Sequence, residues 1–393
     1  TAAFSGGVAY GASKEEYQKA FADIEPIKLN TQTPAPKGST TGKKIEDYLA
    51  AVEEWSGGKI TFNVAYANAV AQPTEIDNAL ADGRLDLALP MPIYEPSEYP
   101  ANTALNNVSF LGRQLPLVGV LESQAWMLDV AYSTPRIREE FKEKGLEFIL
   151  PIFNSGHNLL ICKEERKSLG DFKGVQIIAG GQVQGKQLGA LGATPVSIPY
   201  TEVFESLERG VAACTGSTLL GAALGGYIPA ANKVAYDADA GFAITTGGVA
   251  VNSQVWNDLP LVARQLLFDR LDTFIAASVE STWQSIVEAV DQIRKEGGSF
   301  TPLEQDAVTA LQDMNKKLLD EARGDTAVGD GGAFVDKAQQ VTEEWHKIIT
   351  EELGFEDKAD YEEFADWYKN TKVDLSPYTA KIFEKILLPH RPA

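Results

Sequence analysis

The sequence predicts an α/β protein built from two lobes, and three observations support this fold class. The chain has 393 residues, more than one hydrophobic core usually organises, and its 44% hydrophobic content is enough to bury two cores. Segments typical of strands and helices alternate along most of its length. A long helical pattern follows them.

The first strand–helix series begins at Ile27. Residues 27–33 predict a strand, and the next helix carries Ile45, Tyr48, Leu49 and Val52 on one face before Gly57-Gly58 ends it. The alternating segment KITFNVAY predicts a strand, AQPTEIDNALADG a helix closed by Gly83, and LDLALPMP a compact apolar strand. This order predicts a parallel sheet.

The second series begins at residue 145. GLEFILPIF, NLLICK, GVQIIAG, TPVSIP and VAACTGS predict strands, while QVQGKQLGALG and TEVFESLERG predict helices. FAITTGGVAVNSQVW predicts one or two strands before the longest helical pattern. That helix should have Pro260 in its first turn and these apolar positions at three- and four-residue steps: Leu267, Leu271, Phe274, Trp283, Val287 and Val290.

The chain should cross between the lobes, since no long linker separates them. We expect lobe I to comprise residues 1–152 and 246–283, and lobe II residues 153–245 and 284–393. From about Thr301 the sequence is charged and helical, which predicts a C-terminal helical cap on lobe II.

Charge and hydropathy narrow the possible partners. With 55 Asp and Glu against 35 Lys and Arg, the net charge of −20 would repel nucleic acid and anionic lipid. No stretch approaches the ~18 apolar residues of a membrane span, and the N-terminus lacks a signal peptide's features. The small residues at the start fit a mature protein whose leader was removed, and a cloning boundary explains them equally well.

Catalytic and cofactor motifs are weak. The segment Gly180–Gln187 has the glycine and Gly-Lys spacing of a P-loop but lacks the Ser or Thr that would bind Mg²⁺. His157, His346 and His390 have no metal-ligand spacing, and the carboxylates lie on predicted helix faces where solvation explains them. We therefore expect no cofactor, no metal and no enzymatic activity.

The two cysteines, Cys162 and Cys214, are too few for a disulfide framework. Both lie in apolar runs, so we expect two separate buried thiols. The alternative is one disulfide between neighbouring strands, which requires an oxidising compartment.

The segment GGKITFNVAYANAVAQPTEIDNALADGRLDLAL resembles the first lobe of the substrate-binding proteins of TRAP (tripartite ATP-independent periplasmic) transporters, the DctP-like family. The matching features are Gly57-Gly58-Lys59-Ile60, Glu75 and Gly83-Arg84-Leu85-Asp86. SLGDFKGVQI, LGALGATPVSIPYTEVFESLERGV and VAVNSQVWNDLPLVARQLL continue the resemblance, which covers roughly residues 27 to 295.

The resemblance implies a periplasmic-binding-protein-like fold, with two α/β lobes, a ligand cleft and a long helix shared between the lobes. It also implies an exported, periplasmic or extracytoplasmic protein, either free or lipid-anchored through its leader, that closes on a small organic solute. The solute would pass to TRAP-type permease subunits in the membrane. The chain would be a monomer, or a dimer formed through its cap.

One position departs from the family. Its members commonly carry an arginine on the strand after "lkG", which clamps the solute's carboxylate, and Ile178 aligns there. Either the solute is not a simple monocarboxylate, which we favour, or another cation such as Arg113 or His157 replaces the arginine. The candidate ligand-binding residues are Gln32, Gln72, Glu75, Met91, Tyr94, Asn154, His157, Ile178, Gln182, Thr215, Ser217, Thr218 and Phe242.

Two other functions remain open at this point. A ligand-sensing or interaction protein of the same fold would present its closed form to a membrane receptor instead of a permease, and an extracytoplasmic enzyme would need His157 and a carboxylate as acid and base.

Overall fold

A computed structural model describes residues 6–357 and 360–393 of the chain. Residues 1–5, at the start of predicted lobe I, and residues 358–359, within the predicted cap, lie outside the described part. The structure is a mixed α/β fold with two sheets, as the sequence predicted.

The first sheet has the strand order β2-β1-β3-β10-β4. Its strands are β1 (Ile27–Gln32), β2 (Ile60–Ala65), β3 (Leu87–Ala88), β4 (Leu146–Asn154) and β10 (Thr246–Asn252). Strands β1, β2 and β3 are parallel, whereas β10 runs antiparallel to both β3 and β4. The sheet is therefore mixed and not purely parallel. Its antiparallel strand, β10, is reached only after the chain has formed strands β5, β6, β7, β8 and β9 of the second sheet.

The second sheet has the order β11-β9-β5-β8-β6-β7. Its strands are β5 (Leu159–Cys162), β6 (Gln176–Ala179), β7 (Thr194–Ser197), β8 (Cys214–Ser217), β9 (Lys233–Tyr236) and β11 (Ser299–Pro302). The chain passes from the first sheet to the second between β4 and β5, returns between β9 and β10, and crosses again before β11. The strands thus form two sheets that share the chain discontinuously, and the lobe boundaries stay a prediction.

Helices surround both sheets. They are α1 (Lys14–Phe21), α2 (Lys43–Trp55), α3 (Ile76–Ala81), α4 (Pro100–Asn106), α5 (Val118–Ser133), α6 (Pro135–Lys142), α7 (Leu169–Phe172), α8 (Gln182–Ala190), α9 (Val203–Glu208), α10 (Leu219–Gly225), α11 (Ser253–Asp258), α12 (Leu261–Asp269), α13 (Leu271–Lys295), α14 (Gln305–Arg323), α15 (Gly331–Lys347), α16 (Tyr361–Tyr368) and α17 (Ser376–Ile382). Short 3₁₀ turns cover Thr40–Gly42, Pro92–Tyr94, Tyr200–Glu202 and Leu388–His390, and π-turns cover Ile348–Glu352 and Phe383–Leu387.

The long predicted helix is two helices, α12 and α13, which meet at Arg270. Pro260 precedes the first turn of α12 as its N-cap, and the backbone of Arg270 leaves helical geometry. Helix α13 packs on α2, which connects two strands of the first sheet, and on α10, which connects two strands of the second sheet. Its buried Trp283 donates its indole N–H to the carbonyl of Pro116 at 2.8 Å. A helix shared between the lobes therefore exists, but it is shorter than the sequence suggested.

The C-terminal helices contact elements from both predicted lobes. Helix α14 packs on α8, while α15 packs on α5, a helix that is buried on nearly all sides. Near the end of the chain, Arg391 forms a buried ion pair with Asp269 of α12. The cap is thus not confined to predicted lobe II but extends across α5 and α12.

The cysteines correct one expectation. Cys162 of β5 and Cys214 of β8 are direct partners in the antiparallel register and form a disulfide. The prediction of separate thiols was wrong because the strand register, which the sequence does not reveal, brings the two side chains together.

None of the helices formed by residues 6–357 and 360–393 combines the length and apolar character that a membrane-spanning helix requires.

Candidate functional site

A cavity lies between the two sheets, and the crossing segments form part of its wall. It encloses about 1010 Å³ of empty space, its open mouth included. Ser155 and Asn158, from the crossing between β4 and β5, line it together with Thr245, Thr246 and Gly247 at the start of β10. Because these two of the three crossings meet there, relative motion of the two sheets would change the shape of the cavity.

The wall on the first sheet's side contains three of the predicted ligand residues. Gln32 stands at the end of β1, and Met91 and Tyr94 belong to the turn after β3. Phe153 near the end of β4 adds an aromatic ring.

The wall on the second sheet's side contains four more. Ile178 of β6 and Thr215 of β8 are register partners, and Ser217 follows on β8. Thr218 also lines the cavity, although its hydroxyl accepts a hydrogen bond from the Gly221 N–H and so caps α10. Ile178, which the sequence analysis aligned with the arginine expected from the resemblance, therefore lines the cavity.

Hydrogen bonds between the two sides cross the mouth of the cavity. The Asn68 side-chain amide donates to the Tyr200 hydroxyl at 2.9 Å, and the Tyr200 backbone N–H donates to the Tyr94 hydroxyl at 3.4 Å. Asn68 and Tyr200 also line an outer groove beyond the mouth. They therefore separate the cavity from the outer groove.

The loop that carries Asn68 has unusual backbone geometry. Ala67 and Asn68 have φ angles of 53° and 55°, in the left-handed region that non-glycine residues rarely adopt. Such conformations persist where surrounding contacts impose them, often beside ligands. Here Gln32 supplies those contacts.

Gln32 is therefore committed to the protein itself. Its amide N–H groups donate to the Ala71 carbonyl at 2.8 Å and to the Asn68 side chain at 3.2 Å. Its oxygen accepts from the backbone N–H groups of Val70 and Ala71. Since two donors and two acceptor positions are filled, Gln32 positions residues 67–71, here called the gate loop, and has no hydrogen bond left for a solute.

The remaining predicted residues lie outside the cavity lining. Gln72 lines the outer groove, and Gln182 lines a smaller cavity near Pro92. Glu75 is exposed at the start of α3. The other three are buried elsewhere: Asn154, His157 and Phe242.

Neither cation suggested as a replacement for the arginine lines the cavity. Arg113 pairs with the buried Glu122 and with Glu343. His157 is buried outside the cavity lining, with the Gly119 backbone beside its ring. Burial lowers the pKa of His157 to about 4, and the Gly119 backbone only partly opposes this, so the ring is neutral at pH 7.

The sequence reasoning missed Lys44. Among the described residues that line the cavity, Lys44 alone has a charged side chain, and only 5% of it is exposed. Burial lowers its pKa to about 8. One signal was available, because Lys44 lies four residues before the buried Tyr48 and so on the same face of α2.

The P-loop-like segment and the possible metal ligands form no site. The side chain of Gln184 accepts from the Gly180 N–H, so the turn before α8 is closed by its own helix. Within residues 6–357 and 360–393, no group of three or more His, Cys, Asp or Glu side chains is arranged to hold a metal ion.

Known solute-binding proteins resemble this chain in sequence. Residues 31–325 match the family model described as bacterial extracellular solute-binding protein, family 7 (DctP). A protein of Albidiferax ferrireducens, named solute-binding protein, is 26% identical over 223 residues, which are 54% of this chain and 61% of that protein. The chain thus spans less than two thirds of that relative.

Solved structures share the fold. A TRAP periplasmic solute-binding protein from Bordetella bronchiseptica with bound mandelate has a TM-score of 0.69 at 18% identity, covering 81% of this chain and 99% of its own. A TRAP protein from Rhodoferax ferrireducens with copurified benzoate has a TM-score of 0.69 at 16% identity, with 82% and 99% covered. The ectoine-binding protein from Halomonas elongata has a TM-score of 0.68 at 16% identity, with 81% and 99% covered.

The family match covers most of the chain, and the neighbouring structures share its fold. The chain belongs to the bacterial extracellular solute-binding proteins of family 7.

Proposed function

We propose that this protein captures a small organic solute outside the cytoplasm and delivers it to the membrane permease of a TRAP-type transporter. The observation that carries the proposal is the cavity between the two sheets, which two of the chain crossings border and the hydrogen bond between Asn68 and Tyr200 spans. Solute contacts from both sides would stabilise the closed form, which the permease would recognise.

The disulfide supports the location. A bond between Cys162 and Cys214 forms and persists in an oxidising compartment such as the periplasm. Family membership supports an extracytoplasmic site of action. Catalysis is no part of this proposal, since the family is one of transport proteins and the buried His157 lies outside the cavity lining.

The solute is expected to belong to the small organic compounds that related folds bind. The structural neighbours described above hold mandelate, benzoate and ectoine. The apolar side chains in the lining, among them Phe153, Ile178 and Leu220, suit a solute with a hydrophobic body.

The test measures stability and compaction with solutes. Protein freed of copurified compounds is screened with organic acids, amides and zwitterions by thermal unfolding, and hits are followed by small-angle scattering. We expect at least one solute to raise the melting temperature and reduce the radius of gyration. A broad screen in which no compound does either, together with mass spectrometry that detects no copurified compound, would reject solute capture.

A further inference from the structure

Lys44 occupies a position that proteins rarely give to a lysine. It lies in the first turn of α2, where the helix dipole already disfavours a positive charge, and its side chain is buried against the cavity. A buried ammonium normally has a carboxylate partner, because the loss of hydration is otherwise uncompensated.

No such partner is present among the described residues. The pKa of Lys44 is lowered by burial alone, with no neighbouring carboxylate opposing the shift. The nearest electrostatic support is the Phe153 ring, whose centroid lies 5.6 Å from Nζ. The adjacent Lys43 differs, since it is half-exposed and pairs with Asp47 at 2.6 Å and with Glu280 at 3.6 Å.

The rest of the lining offers little for a second charge or for many hydroxyl groups. Most of it is apolar, and several polar side chains are already engaged within the protein. Gln32 holds the gate loop, Asn68 donates to Tyr200, and Thr218 caps α10. The Asn158 side-chain N–H groups donate to the Ala243 carbonyl at 2.6 Å and to the Thr245 hydroxyl at 3.2 Å, and within the described chain only its oxygen is left as an unpaired acceptor. A sugar or a dicarboxylate would therefore leave polar groups unsatisfied in an apolar cavity.

From these observations we infer that Lys44 binds the carboxylate of an amphipathic monocarboxylate, whose apolar body lies against the hydrophobic lining. This inference deepens the proposed function and rests on it. The group that binds the carboxylate, here called the anchor, is thus Lys44 on α2, next to the first sheet. On β6, Ile178 contributes apolar surface to the cavity instead.

The anchor explains two features together. An isoleucine on β6 removes the cation there, and an unpaired lysine on the opposite side supplies one. Binding a carboxylate gives Lys44 the partner that the protein lacks, so the electrostatic gain appears only when the solute is bound. Of the two explanations that the sequence left open, replacement by another cation is the one we adopt, with Lys44 in place of Arg113 or His157.

The test uses matched charged and neutral probes. Binding of hexanoate and phenylacetate, and of hexanamide and phenylacetamide, is measured by calorimetry on the wild type, Lys44→Met and Lys43→Met. Lys43→Met is the control, because Lys43 is adjacent on the same helix but pairs at the surface. A second variant, Lys44→Gln, and melting curves for every protein show that loss of binding is not loss of folding.

We expect the wild type and Lys43→Met to bind at least one carboxylate roughly 30-fold or more tightly than its amide. In Lys44→Met and Lys44→Gln that preference should disappear. Equal affinity for carboxylate and amide in the wild type, or unchanged carboxylate affinity in the folded Lys44 variants, would overturn the inference while leaving solute capture intact. Absence of binding by all four probes would also overturn it, whereas the proposed function is judged separately by the broad screen and the copurified compound.

Discussion

Replacing Lys44 with methionine should make the unliganded protein more stable, although it removes binding. The pKa of Lys44 falls from 10.5 to about 8 in the folded chain, a difference of about 2.5 units. At 1.36 kcal/mol per unit, charge burial costs about 3 kcal/mol at neutral pH. Methionine fills a similar space without a charge, so Lys44→Met should recover most of this free energy of unfolding.

The sign of the pH dependence follows from the lowered pKa. Below about pH 8 the lysine is charged in both the folded and the unfolded chain, so the full cost is present. Between about pH 8 and 10.5 the unfolded chain holds a proton that the folded chain has lost, so wild-type stability rises relative to the variant. The advantage of Lys44→Met should therefore shrink as the pH approaches 10.

The assay is urea unfolding of solute-free wild type, Lys44→Met and Lys43→Met at pH 7 and pH 10. Lys43→Met should change the free energy of unfolding by at most about 1 kcal/mol, as expected for surface ion pairs. Our account of Lys44 as an uncompensated buried charge is refuted if Lys44→Met is less stable than the wild type at pH 7. A gain that is equally large at pH 10 refutes it as well.

Four further predictions concern other parts of the chain. Burial holds the pKa of His157 near 4, below its usual 6.5, so acidification from pH 6.5 to 4 should lower the free energy of unfolding of the wild type by up to about 3 kcal/mol more than that of His157→Gln. Urea unfolding at pH 7 and 4.5 measures the difference, and equal losses in the two proteins would contradict the prediction. Tyr200→Phe removes a hydrogen bond across the mouth of the cavity and should weaken solute binding about fivefold in calorimetry, whereas unchanged affinity would exclude a role in closure. Reducing the bond between Cys162 and Cys214, which are 52 residues apart in sequence, should lower the free energy of unfolding by about 4 kcal/mol, and an unaltered urea midpoint in dithiothreitol would argue against the loop-entropy account. Ala67→Gly should raise the free energy of unfolding by about 1 kcal/mol in urea, since glycine adopts the φ of 53° without strain. A lower free energy of unfolding would show that the contacts of the alanine methyl group matter more.

Part of the site was predictable because strand ends and helix starts are local features. Ile178 of β6 and Thr215 and Ser217 of β8 lie in short strands, Thr218 directly follows β8, and all four line the cavity. His157 also follows a strand, yet it lies outside the lining. Sequence position thus indicates which loops approach the cleft but not which side chains turn towards it. The direction of each side chain depends on how the two sheets pack.

Lys44 also shows what the sequence leaves undetermined about a buried side chain. Helical periodicity places it on the buried face with Tyr48, but it does not show whether that face ends in a core, in solvent or in a cavity. The structure answers this through α13, whose Ser281 hydroxyl donates to the Thr40 carbonyl at 2.7 Å and holds the start of α2 beside the cleft.

The sequence by itself determined the fold class and the family, because these depend on hydrophobic periodicity and on the order of local motifs. Only the tertiary structure decided the pairing of Cys162 with Cys214, the engagement of Gln32 with the gate loop and the isolation of the Lys44 charge. Each of these depends on contacts between segments that are distant in sequence, and burial and electrostatic energies arise from those contacts.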